Sequence, residues 1–211
     1  MNMFKPFLPY LVICLSIGVS LLFFFDKPSK ENKLKGSLDI QDNLSSQADD
    51  RTLFWDIYPE LILPNEGKTL NKDLSLTDIN ESNITLSNLF DKSSDSILIF
   101  RFSNFDCDLC LRKTLPILMD FFKDNSNKVN LIVDGMLPKE YRIKFKELKI
   151  PFPVYFLNDQ NLQLSLENKN IPFFFILDRE HYKTHKIFTP SKDYPQHTQT
   201  YLRNIKQSLY D

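Results

Sequence analysis

Apolar and polar positions change rhythm several times along this chain, and each change marks a boundary. The segment Phe7 to Phe25, FLPYLVICLSIGVSLLFFF, carries no charged side chain. Its roughly 19 residues, as a helix rising about 1.5 Å per residue, nearly cross a hydrocarbon core. From Asp26 to about Arg51 the text is polar, aperiodic and rich in Ser, Asp, Asn and Lys, which predicts a flexible tether. Folding signals begin at Leu53-Phe54-Trp55. The expected organisation is therefore residues 1–25 as a membrane anchor or uncleaved signal, 26–51 as a linker and 52–211 as one folded domain.

Within that domain, short alternating pieces around Leu74-Ser75-Leu76 and Ile84-Thr85-Leu86 predict a small hairpin. SILIFRF, Ser96 to Phe102, has the continuous apolar character of a strand buried on both faces. After a short loop, Leu111, Leu115, Leu118 and Phe122 recur at helical spacing and mark one apolar helix face. Pro116 is expected to kink that helix. KVNLIVD (128–134) reads as a strand, PKEYRIKFKELK (138–149) as a helix and PVYFL as a short strand, an order that implies parallel pairing. FFFILD (173–178) and HKIFT (185–189) read as an antiparallel hairpin, with Phe173, Phe174 and Phe175 as core. A closing helix over about 196–209 packs Tyr201, Leu202, Ile205 and Leu209 on the sheet.

Composition narrows the function classes. With 211 residues, 42% hydrophobic content and a formal net charge of -1, the chain has core material for one domain and no basic surplus for a polyphosphate backbone. Nucleic acid is excluded as a partner class. A cleaved signal peptide competes with the anchor, but the apolar run ends in Phe23-Phe24-Phe25-Asp26 without a small-x-small site. Cys14 follows Ile13, where a lipidation signal has a small residue, so it reads as an apolar filler.

The candidate chemistry is Cys107-Asp108-Leu109-Cys110, a C-x-x-C pair at the start of a helix directly after a buried strand. One helical turn brings both sulfurs close enough to bond. Unpaired N–H groups and the macrodipole at a helix N-terminus favour the thiolate of Cys107, the form that attacks a disulfide. Cys110, one turn deeper, can then resolve the mixed disulfide. A structural disulfide or two inert thiols on a non-catalytic interaction module is the alternative. His181-x-x-x-His185 nominally completes a Cys2His2 zinc set. Those histidines fall in the turn after strand 173–178 and read as solvated turn residues, so no metal is expected. Covalent haem attachment would need His after Cys110, and Leu111 stands there. No cofactor is expected.

SILIFRFSNFDCDLC, the strand KVNLIVD and the segment NIPFFFILD with its hairpin and last helix resemble the thioredoxin superfamily. Within it they are most similar to membrane-tethered envelope members of the thiol-disulfide reductase and alkyl-hydroperoxide-reductase-like (redoxin) branch. The resemblance covers about Leu74 to Leu209. It implies an α/β thioredoxin fold, a mixed sheet with helices on both faces. It also implies that Pro172 follows a cis bond and faces the cysteines, so that Ile171 and Pro172 offer a backbone edge to substrate. Departures from the family are Asp106 where an aromatic residue precedes the first cysteine, and Asp108-Leu109 in place of a Gly-Pro type pair. Arg101 stands where thioredoxins keep a buried acid, six residues before Cys107. Arg101, Asp106 and Asp108 are therefore candidate modulators of the thiolate. The two carboxylates oppose it, and Arg112 and Lys113 favour it. RFSNFDC lacks the Pro-x3-Thr-x2-Cys pattern of peroxiredoxins, which argues against peroxidase chemistry. The implied partners are protein thiols or disulfides and a thiol electron donor. Lys5 against Lys27, Lys30, Lys33 and Lys35 favours, taken alone, a cytoplasmic domain. Asp26 and Glu31 dilute that count, early apolar segments act as export signals, and the resemblance points outward. The expected location is a single-pass membrane protein with an extracytoplasmic, periplasmic domain.

Overall fold

A computed structural model describes residues 58–92 and 94–210. The expected membrane segment Phe7 to Phe25 and the expected linker 26–51 lie outside the described residues. Among the described residues no helix is long and apolar enough to cross a membrane. In chain order the elements are β1 (Ser75–Asp78), β2 (Asn83–Thr85), β3 (Ser96–Ser103), α1 (Asp108–Phe122), β4 (Val129–Asp134), α2 (Pro138–Phe145), β5 (Val154–Leu157), β6 (Phe173–Asp178), β7 (Thr184–Phe188) and α3 (Pro195–Tyr210). Short helical turns cover Tyr58–Ile62, Leu63–Asn65, Leu86–Leu89, Lys123–Lys128 and Ser165–Lys169.

The strands form one seven-stranded sheet in the order β2-β1-β5-β4-β3-β6-β7. β3, β4 and β5 run parallel, whereas β1 joins β5, and β6 joins β3, antiparallel. β3 lies centrally because Ile97, Leu98, Ile99, Phe100 and Phe102 are apolar on both sides of the pleat and fully buried. Even-numbered residues Leu98, Phe100 and Phe102 share a core with Leu111, Leu115, Leu118 and Phe122 of α1, Tyr141 and Phe145 of α2, and Leu202 and Ile205 of α3. Odd-numbered Ile97 and Ile99 enter the opposite core with Phe173, Phe175, Ile62, Leu86 and Leu166.

That division corrects the expectation of helices on both faces: the three α-helices share one core, and short helical turns and extended chain cover the other. The reason is topological. The steps from β3 to β4 and from β4 to β5 move in one direction across the sheet, and right-handed crossovers then place α1 and α2 on the same side. α1 remains a single helix through Pro116. The predicted helix 138–149 closes at Phe145. Before β6 lies the one-turn helix Ser165–Lys169, ended by Asn170 in the left-handed conformation at φ 53°.

Candidate active site

β3 delivers its last residue, Ser103, to the end of the sheet, and the loop Asn104 to Asp106 leads to Cys107, the N-cap of α1. An N-cap side chain accepts from the first free amides of its helix. Here Cys107 Sγ accepts the Cys110 N–H at 3.2 Å. Cys107 and Cys110 are joined as a disulfide with their Cα atoms 5.2 Å apart. Both cysteines are half-buried. Cys110 lies on the first turn of α1 beside exposed Leu109, off the core-facing stripe of Leu111 and Leu115.

The loop is clasped from within. Asp106 is buried, its carboxylate accepting the Ser103 N–H at 2.8 Å and the Ser103 hydroxyl at 2.5 Å. Arg101, fully buried, sets one guanidinium nitrogen 3.4 Å from Asp106 and the other 2.7 Å from Asp134 at the end of β4. Its Nε has no hydrogen-bond partner. Its guanidinium carbon lies 5.6 Å from the ring centre of Phe173, its cross-strand neighbour on β6. Behind it, burial raises the Glu167 carboxyl, opposed by N–H groups of Leu162 and Leu164 and by the Arg101 charge.

Asp108, the first residue of α1, points the other way, into solvent. Arg112 approaches its carboxylate at 2.6 Å and Lys144 of α2 at 3.1 Å. The hydrogen bond from Arg112, then that from Lys144, holds the Asp108 carboxyl below the ordinary carboxylate range. Lys113 donates to the Lys192 carbonyl at 2.9 Å. Both carboxylates flanking Cys107 are thus paired with cations, which counter their charge beside the cysteine.

Pro172 is buried and Ile171 half-buried. The β3–β6 register pairs Arg101 with Phe173. Continued by one residue, it sets Pro172 level with Phe102, at the end of the sheet from which the cysteine loop departs. The expected cis bond is corrected: among the described residues every peptide bond is trans, and the left-handed Asn170 turns the chain into β6 just ahead of the proline. The histidines stand elsewhere. His185 Nε2 lies 3.2 Å and His181 Nδ1 3.8 Å from Asp178, which pairs with Ser96 at the other end of β3. Asp134 and Lys144 reach the site across the fold, where spacing along the chain does not mark them, and Ser103, three residues before Asp106, carries no distinguishing signal in the sequence.

No protein-family model matches the chain, and no curated protein matches it. Solved structures similar to it include a peroxidoxin from Mycobacterium tuberculosis, 16% identical over 67% of this chain and 97% of that one, with a TM-score of 0.47. A second, from Chlorobium tepidum, is described as a thiol:disulfide interchange protein; it is 12% identical over 67% and 97% of the two chains, TM-score 0.49. An uncharacterised thioredoxin-like protein from Porphyromonas gingivalis is 18% identical over 67% and 94%, TM-score 0.46. These are likenesses only.

Proposed function

We propose that this chain is a membrane-anchored thiol-disulfide oxidoreductase of the thioredoxin type, acting on protein thiols or disulfides outside the cytoplasm. The observation that supports it most is the Cys107–Cys110 bridge at the N-terminus of α1, at the end of a central buried strand. The uncharged run Phe7 to Phe25 supports the anchor, and the extracytoplasmic side rests on the resemblance set out above.

In the reduced protein, the Cys107 thiolate attacks a substrate disulfide. A Cys107–substrate bond forms, the substrate S–S bond breaks, and the departing sulfur takes a proton from solvent. Cys110 then attacks the Cys107 sulfur, forming the intramolecular disulfide and expelling the second substrate thiolate. Two electrons pass to the substrate, and a thiol donor restores the dithiol. Run backwards, the same steps oxidise a substrate dithiol. Ile171 and Pro172 are proposed to line the substrate's path. Arg101, Asp106 and Asp108 set the charge around Cys107, with Arg101 countering Asp106.

The division between attacking and resolving sulfur is tested by trapping. In a bacterial envelope, Cys110→Ser is expected to accumulate mixed disulfides on non-reducing gels, because the resolving thiol is gone, while Cys107→Ser traps almost nothing. Equal trapping by both variants, or preferential trapping by Cys107→Ser, overturns the assignment.

A further inference from the structure

We propose that Phe105 is the specificity-determining residue of this exchange, a platform for an apolar side chain flanking the reacting cysteine of a protein substrate. The inference rests on the thiol-disulfide reading above and adds the class of sequence it selects. The residue directly before Cys107 is turned inward, since Asp106 is held by Ser103 and Arg101. Phe105, one place earlier, is turned outward, and at 74% exposure it is the most exposed large apolar side chain among the described residues.

The ring thus keeps most of its apolar surface in solvent two residues from Cys107, where an apolar group brought in by a partner can cover it. Nor is the ring loose. A Cβ placed on Gly135 would stand 3.2 Å from Phe105 Cε2 and 3.6 Å from Cδ2. Gly135 also has φ +62°, a conformation suited to glycine. The β4–α2 turn therefore leaves a bare seat under the ring. The loop is fixed on that seat by the Asn104 N–H on the Asp134 carbonyl, 3.1 Å, and the Phe105 N–H on Ser103 Oγ, 3.2 Å. Leu109, two residues after Cys107, and Leu137, two after Gly135, are exposed at 48% and 65%.

The occupant follows from the chemistry and the charges. Any reacting partner brings a sulfur to Cys107, so the groups flanking that sulfur meet Phe105 and Leu109. The carboxylates beside the pair are already engaged, Asp106 and Asp134 by Arg101, and Asp108 by Arg112 and Lys144. The complement of the exposed Phe105 and Leu109 side chains is an uncharged, apolar segment of protein chain.

The test uses the full-length chain, dithiothreitol as reductant and two synthetic peptides with one internal disulfide each. Leu and Phe flank the cysteines in one, Asp and Lys in the other. The wild type is expected to show a KM about 10-fold lower for the apolar peptide. Phe105→Ala should raise that KM about 10-fold and leave kcat and the charged peptide's KM unchanged, and Phe105→Leu should retain most of the preference. Equal wild-type KM values, an unchanged KM in Phe105→Ala, or a kcat loss on both peptides overturns the role of Phe105 and leaves the exchange reading standing. No turnover of either peptide by the wild type removes the exchange reading itself.

Discussion

Arg101 is fully buried and sits between two carboxylates, Asp106 and Asp134, the second reaching it from the neighbouring strand 33 residues away, so its charge governs the field behind Cys107. Lys144, which shares Asp108 with Arg112, is likewise supplied by packing. Removing one partner from a buried ion pair leaves an uncompensated charge. Arg101→Met should therefore cost about 3 kcal/mol in urea unfolding. It should also raise the Cys107 thiol pKa, read from thiolate absorbance against pH in the reduced protein, because the Asp106 carboxylate then faces the thiolate unopposed. The double variant Arg101→Met/Asp106→Asn should return the thiol pKa toward the wild-type value. A second residue-scale case is Tyr141. Its hydroxyl is buried without a partner and burial pushes its phenol pKa up. Tyr141→Phe should stabilise the protein by about 1 kcal/mol in the same unfolding assay.

Among the elements, those with a clear period were legible. β6, and β3 apart from Arg101, show the apolar run of a doubly buried strand, and α1 buries all four residues of its predicted stripe. The coverage of the second face was not legible, because Ser165–Lys169 is too short to display a helical period. The strap along β7 was hidden for another reason. There the Glu66 carboxylate accepts the Lys186 and Ile187 N–H groups at 3.1 and 2.6 Å, a pairing of segments about 120 residues apart that no local pattern encodes. The β6–β7 hairpin has its own titratable pin. Burial would raise the Asp178 carboxyl, but N–H groups of His181 and Lys183 and the His185 ring outweigh it and hold it below its ordinary value. A depressed carboxylate contributes stability above its unfolded pKa, and that contribution is lost as pH falls through the lower folded value. Asp178→Ala is expected to cost about 1–2 kcal/mol at neutral pH. The gap to wild type should narrow as thermal unfolding is followed downward in pH from about 4.

At the scale of the whole molecule, the proposed exchange domain and the proposed membrane anchor are open to separate tests. If Phe7 to Phe25 anchors the chain with its domain outward, a membrane-impermeant thiol reagent added to intact, reduced cells whose outer barrier has been opened should label Cys107. Deleting residues 1–51 and replacing them with a cleavable export signal should release the domain in soluble form. Labelling that appears only after lysis would place the domain on the cytoplasmic side. The central claim, that Cys107 and Cys110 turn over rather than merely brace the start of α1, is tested most directly by insulin reduction. The full-length chain should accelerate insulin disulfide reduction by dithiothreitol, and Cys107→Ser should abolish the acceleration. A rate no greater than that of dithiothreitol alone would make the bridge structural and contradict the account.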